Sequence, residues 1–324
     1  MLPELARIWS EVLRTRTLTP QENFFEVGGN PTLAIRLCDQ IRVELQKIVP
    51  PLILYSAPTL GELSRALSDG TTMRFSNALL LKQGSCGPPL FLLHGMGGNV
   101  SEFFELVNSF KSGHAIYGLQ ARGSDGREPP LDRIEAMAEY HVKAIRQLQP
   151  RGPYLLCGYS LGGLVALEIA RELTSAGEKV ALFSMIDSYP HPTLLSSTQR
   201  FRLRLRGAIH RLDRALATEQ GGPEGERSAS ASESVCGPAV RDVCQAALRA
   251  WASYRPKPYR GRVRFLAAQV ITAFPADPAL AWKGLINNLE IETVPGTHHG
   301  MLDTSATLLA STLSRYIADS TAGG

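Results

Sequence analysis

The chain has little that would send it to a membrane, a metal or a nucleic acid. No apolar run approaches the roughly 18–20 residues that a bilayer-crossing helix needs. Its five cysteines (Cys38, Cys86, Cys157, Cys236 and Cys244) are an odd number without a C-x-x-C pair, so neither a disulfide framework nor a thiolate metal site is indicated. Histidine, cysteine and aspartate nowhere cluster at metal-ligand spacing, and no Walker or dinucleotide fingerprint occurs. Met1 leads straight into an amphipathic helical pattern rather than a signal peptide. These absences set the expectation of a reduced, cytoplasmic, soluble protein with packing cysteines and no bound cofactor.

Charge imbalance is scarce as well. The 34 basic and 30 acidic residues of this 324-residue chain leave a net charge of +4, too mild to argue for a nucleic-acid partner. The surplus is also local. Arg200, Arg202, Arg204, Arg206, Arg211 and Arg214 face one acid, Asp213, which gives that segment +5 and the remainder −1. At 44% hydrophobic residues, the composition supports a large buried core and excludes disordered and collagen-like classes.

The first 70 residues read as a small helical bundle. Leu5, Ile8, Trp9, Val12 and Leu13 recur at helical spacing within Pro3–Arg14. A turn-rich stretch ends in Gly28-Gly29-Asn30, and a second helical pattern runs from Pro31 to Lys47. Pro58-Thr59 opens a short final helix reaching Ser68. After a linker at 71–87 that includes a first strand, the pattern changes. Strands are predicted at Ala78–Lys82, Pro89–His94, Ala115–Leu119, Tyr154–Gly158, Val180–Ile186, Val263–Ala267 and Leu289–Val294. Helices are expected at Asp132–Leu148, Leu161–Ala176 and Thr304–Ile317. Apolar strands alternating with amphipathic helices imply an α/β fold with a mostly parallel central sheet covered on both faces. An insertion over about 190–250 interrupts it. There Phe201, Leu205, Ile209, Leu212 and Leu216 form an apolar helical stripe opposite the arginines, followed by the Gly- and Ser-rich stretch Thr218–Gly237.

One pentapeptide carries chemistry. Gly158-Tyr159-Ser160-Leu161-Gly162 matches G-x-S-x-G and lies between a predicted strand and a predicted helix, the context in which a sharp turn exposes a nucleophilic serine. The bland alternative is a glycine turn opening a helix. An oxyanion site would draw on the Leu161 N–H and on Met96 or Gly97 in the loop His94-Gly95-Met96-Gly97-Gly98. A general base belongs on the late loop Gly296–Leu302, where His298 and His299 adjoin. For the acid, Asp187 ends one strand and Asp277 follows a later one; both preserve the chain order Ser, Asp, His. A lone aspartate in a turn is commonly a cap, so one of the two is structural.

With these residues in view, the chain resembles the carrier–thioesterase terminus of modular nonribosomal peptide and polyketide synthetases, over nearly its whole length. The carrier likeness rests on Leu5-Ala6-Arg7-Ile8-Trp9, on Asn23–Asn30 and on Ala57-Pro58-Thr59-Leu60. The likeness to a type I thioesterase of the α/β-hydrolase fold rests on Gly158–Gly163, Met185-Ile186-Asp187 and Gly296–Leu302, within a domain running 88–324. The resemblance implies Ser160, His298 and Asp187 as the triad, Gly-x-His-x-x-Met-Leu selecting His298 over His299. It also implies a lid in the 190–250 insertion. The expected partners are a carrier-bound acyl thioester and upstream synthetase modules, with phosphopantetheine as the arm of a partner carrier's substrate. A general carboxylesterase and a non-catalytic docking module are the competing functions.

The chain departs from the family at one place. Carriers show Gly-Gly-(His/Asp/Asn)-Ser-Leu, the serine receiving phosphopantetheine, whereas this chain reads Gly28-Gly29-Asn30-Pro31-Thr32-Leu33. Pro31 offers no hydroxyl, and Thr32 lies one position along. The expectation is a carrier unit of residues 1–70 that folds but is not loaded.

Overall fold

In the computed structural model the described residues are 2–14, 19–29, 31–47, 49, 53–68, 77–192, 238–270 and 277–321. Elements are numbered over these residues. The helical part holds α1 (Leu2–Leu13), α2 (Pro31–Leu45), α3 (Ile53–Ser56) and α4 (Leu60–Ser68). Its core joins Leu5, Ile8, Trp9 and Val12 of α1 to Phe24, Leu37, Ile41, Leu60, Leu63 and Leu67. Trp9 meets Phe24 edge-on at 5.3 Å, an arrangement that aromatic quadrupoles favour. The N-terminus of α4 is a capping box: Thr59 Oγ1 accepts from the Glu62 N–H at 3.2 Å, and the Glu62 carboxylate accepts from the Thr59 N–H at 3.1 Å. That box starts the helix at Leu60 rather than nearer Ser56.

The second part is a seven-stranded sheet in the order β1-β3-β2-β4-β5-β6-β7. Its strands are β1 (Ala78–Lys82), β2 (Leu90–Leu93), β3 (Ile116–Leu119), β4 (Tyr154–Tyr159), β5 (Val180–Ile186), β6 (Tyr259–Ala268) and β7 (Ile286–Val294). Only β1 runs antiparallel to its neighbour; the remaining pairs are parallel. The inner strands read as unbroken apolar runs because both faces are covered. Phe91, Leu93, Leu156, Phe183, Met185 and Phe265 enter one core with α6 (Ile134–Leu148), α7 (Leu161–Ser175) and α8 (Pro238–Ser253). Leu90, Leu92, Leu155, Cys157, Leu182, Ile186 and Leu266 enter the other, against α5 (Phe104–Ser109) and α10 (Ala306–Thr321). A short α9 (Pro278–Ala281) precedes β7.

Strands β6 and β7 begin earlier than apolar patterning indicates. In β6 the first four residues, Tyr259-Arg260-Gly261-Arg262, carry charge yet pair with β7 through a bulge between Tyr259 and Arg262. The 3₁₀ turn Val100–Phe103, α5 and α8 are further elements that patterning did not indicate. The Arg-rich stripe, Phe201–Leu216, and the stretch Thr218–Gly237 lie outside the described residues. The end of the insertion is α8, which seats Val243, Ala246, Ala247 and Ala250 in the core. The helical part touches the sheet part where the Phe25 ring lies 5.2 Å from that of Phe104 at the start of α5.

Candidate active site

Parallel strands bring their carboxyl ends to one edge, and four loops from that edge converge. The register sets Leu93 beside Gly158, Tyr159 beside Ile186, and Ala268 beside Val294. The loops that follow carry Gly95–Gly98, Ser160, Asp187 and His298.

Ser160 stands between β4 and α7 with φ 54° and ψ −121°. A non-glycine residue held at positive φ costs of order 1–3 kcal/mol and persists only where its surroundings fix it. The flanking glycines make that turn possible. A β-carbon on Gly158 would lie 2.2 Å from the Gly162 carbonyl oxygen, and one on Gly162 would lie 2.3 Å from that of Leu93. The Ser160 N–H donates to the Ile186 carbonyl at 2.9 Å, which ties the turn to β5.

His298 Nδ1 lies 2.7 Å from Asp187 Oδ2. Asp187 is only 5% exposed and also stands at positive φ, 45°. Its other oxygen accepts from the Ala268 N–H at 3.2 Å, and the Tyr189 hydroxyl is hydrogen-bonded to the same carboxylate. Asp277 is placed otherwise. It caps α9, accepting from the N–H groups of Ala279 and Leu280, so the structure pairs the imidazole with Asp187. His299 does not face Asp187; its Nδ1 lies 3.3 Å from the Tyr159 hydroxyl.

The loop after β2 is a turn closed by the Gly98 N–H on the Gly95 carbonyl at 3.2 Å, which leaves Met96 and Gly97 at its corner. The Gly95 N–H is occupied by Glu102 Oε1 at 2.5 Å. Among the described residues, no acceptor meets the N–H groups of Met96, Gly97 or Leu161. Helix α8 crosses over this loop so closely that a β-carbon on Gly98, at φ +72°, would lie 2.5 Å from Val243 Cγ1.

Ionisable groups surround the loop, His94 and His141 buried and Glu102 half-buried. Burial raises the Glu102 carboxyl to about 8, against the lowering effect of the Gly95 N–H. Burial lowers His94, and it pushes His141 down to about 3. The two imidazoles meet edge-on at 5.8 Å. Sequence reasoning did not single out Glu102, Tyr189, or Tyr159 in any role beyond the motif's variable position. Their partners are remote along the chain, the Tyr159 hydroxyl bonding 139 residues away at the His298 carbonyl, and no local spacing signals such a bond. Among the described residues, no group of three His, Cys, Asp or Glu side chains could hold a metal ion, and no helix is long and apolar enough to cross a membrane.

Comparison with known proteins agrees with this architecture. Residues 88–317 match the thioesterase domain family, and residues 3–67 match the phosphopantetheine attachment site family. A dimodular nonribosomal peptide synthase of Bacillus subtilis is 32% identical over 306 residues, spanning 90% of this chain and 13% of that protein. Malpibaldin synthetase of Mortierella alpina is 37% identical over 187 residues, 57% of this chain and 3% of that protein. The chain thus spans a small fraction of the length of such relatives. Among solved structures, the NocB thioesterase domain from the nocardicin cluster superposes with a TM-score of 0.53 at 25% identity, over 72% of this chain and 95% of that one. A four-domain nonribosomal peptide synthetase superposes over 97% of this chain and 26% of its own, with a TM-score of 0.62 at 21% identity, which is a likeness of fold. In the attachment-type unit, α2 begins at Pro31, whose ring has no hydroxyl to esterify; the residue present there does not fit a covalently attached phosphopantetheine. The chain belongs to the thioesterase domain family, hydrolases that act on thioesters, and carries a carrier-type helical unit ahead of that domain.

Proposed function

We propose that Ser160, His298 and Asp187 form a catalytic triad that releases an acyl, peptidyl or polyketide chain from a carrier-bound thioester. The observation that carries this reading is the 2.7 Å pairing of His298 Nδ1 with the buried Asp187 carboxylate, set beside a serine at a strained strand-to-helix turn. Ser160 Oγ attacks the thioester carbonyl while His298 Nε2 takes its proton. The tetrahedral oxyanion is met by the N–H groups of Leu161 and Met96, two donors that meet no acceptor among the described residues. His298 then returns the proton to the departing thiol, leaving the chain esterified to Ser160. Water, or a nucleophile within the chain itself, attacks that ester, with His298 again as base, and an acid or a ring leaves. Asp187 holds Nδ1–H and stabilises the imidazolium.

The substrate comes from a partner carrier, with upstream synthetase modules as its source. Pro31 supports that division: the helical unit keeps its packed core, and proline suits the first turn of α2, yet the attachment position lacks a nucleophile. The test of the active-site reading is fluorophosphonate labelling followed by peptide mass mapping, together with hydrolysis of a panel of pantetheine thioesters. Adduct on Ser160, and loss of both labelling and turnover in Ser160→Ala, are expected. Turnover that survives Ser160→Ala would refute it.

A further inference from the structure

Tyr159 occupies the variable position of the Gly-x-Ser-x-Gly turn, where the turn itself asks for no hydroxyl. Its buried side chain nevertheless faces two loops and the 3₁₀ turn Val100–Phe103. The ring lies over the His298 imidazole, with centroids 4.8 Å apart and planes 23° from parallel. The hydroxyl donates to the His298 carbonyl at 3.1 Å and lies 3.3 Å from His299 Nδ1. A phenol has one proton. With that proton on the carbonyl, the oxygen is left to accept from an Nδ1–H of His299. Burial, together with the neighbouring His298, favours neutral His299, which suits that arrangement. On the third side a β-carbon at Gly95 would come 3.0 Å from the Tyr159 ring, and Phe103 stands edge-on at 6.5 Å.

We infer that Tyr159, anchored by His299, is a positioning residue that holds the His298 imidazole in register with Ser160; this rests on the triad reading above. The bond to Asp187 fixes one ring nitrogen, the stacked phenol ring limits rotation of the imidazole about that contact, and the hydroxyl pins the backbone that carries it. Because Tyr159 is bonded to Ser160, one residue sets both the nucleophile and the base. Catalysis is sensitive to such placement, a 1 Å error costing about 100-fold. The aromatic face also favours the imidazolium that forms when the serine proton is taken. The adjacent histidines thus have separate tasks: His298 moves the proton and His299 anchors the residue that aims it.

The test compares Tyr159→Phe, Tyr159→Leu, His299→Leu and the Tyr159→Phe/His299→Leu double variant. Pantetheine thioester turnover is normalised to the Ser160 that a fluorophosphonate titrates, so unfolded protein does not count. Tyr159→Phe keeps the ring and is expected to lower kcat about tenfold with KM within about twofold. Tyr159→Leu loses the ring too and should fall about 100-fold. His299→Leu removes only the Nδ1 bond and should cost no more than Tyr159→Phe, and the double variant should be no worse than Tyr159→Phe, which already removes both of the hydroxyl's bonds. Wild-type kcat in Tyr159→Phe, a loss carried by KM, or additive losses in the double variant would overturn the proposal while leaving Ser160 as nucleophile. A wild-type protein that is not labelled at Ser160 would overturn the triad reading and this proposal with it.

Discussion

Replacing Asp187 by asparagine separates the two acid candidates with little change in volume. An asparagine there keeps an oxygen for the Ala268 N–H, which Asp187 Oδ1 now meets at 3.2 Å, so the fold is expected to survive. What changes is the group facing His298 Nδ1 at 2.7 Å. An amide NH₂ at that point is a donor and requires Nδ1 to accept. The ring proton then moves to Nε2, the atom that has to be free to take the Ser160 proton. The negative charge that would steady the imidazolium is lost at the same time. In Ser-His-Asp hydrolases such a swap costs kcat about 10⁴-fold, about 5 kcal/mol at 1.36 kcal/mol per decade.

Asp277→Asn is the matched control. Asparagine caps a helix as well as aspartate does, so the bonds from the Ala279 and Leu280 N–H groups persist. Stability should stay within about 0.5 kcal/mol, with kcat unchanged. The assay is single-turnover release of thiol from a pantetheine thioester, followed with a thiol reagent on enzyme whose melting temperature has been checked. Retention of more than a tenth of the wild-type rate in Asp187→Asn, with collapse in Asp277→Asn, would move the acid to Asp277 and refute the geometric argument.

A phosphopantetheinyl transferase with coenzyme A should leave the intact mass unchanged; a mass increase lost in Thr32→Ala would show that Thr32 substitutes for the missing serine. His141, held neutral down to about pH 3, binds no proton in the folded state while the unfolded chain takes one up below about pH 6.5. His141 therefore removes about 2 kcal/mol of stability at pH 5 relative to pH 8, while Glu102, raised to about 8, acts in the opposite direction over the same range. Urea unfolding at the two values should show a change from pH 8 to pH 5 about 2 kcal/mol more favourable in His141→Leu than in wild type. Gly98→Ala places a β-carbon against Val243 Cγ1 and strains φ +72°, at a cost of roughly 1–3 kcal/mol. Its melting temperature should fall by several degrees and recover in part with Val243→Ala.

Much of the sheet was legible because each inner strand is an unbroken apolar run between turn residues. Val180–Ile186 and Ala78–Lys82 have the predicted bounds. Strand β6 extends beyond its apolar run, to Tyr259, because Arg260 and Arg262 in its bulged start are exposed and tolerate charge there. Helix α8 leaves little trace in the sequence because it follows a Gly- and Ser-rich stretch and its buried face is mostly alanine, a weak apolar signal. At the site, a strand–turn–helix context pointed to Ser160. The rest depended on which loops the sheet order brings together. The sequence could not choose between Asp187 and Asp277, since each is one aspartate in a turn; a cap on α9 and a bond to His298 distinguish them.

The fold of the carrier-type unit does not depend on a hydroxyl at the start of α2. Its core draws on Trp9, Phe24, Leu37, Ile41 and Leu63, none of which is the attachment residue. Helix α2 needs at its first position only a residue that can forgo an N–H bond, and proline does so with φ already near the helical value. With proline at that position the helix start and the core are in place. The unit also touches the thioesterase domain through Phe25 and Phe104. If the unit carries no thioester of its own, the acyl chain that reaches Ser160 has to arrive on another carrier.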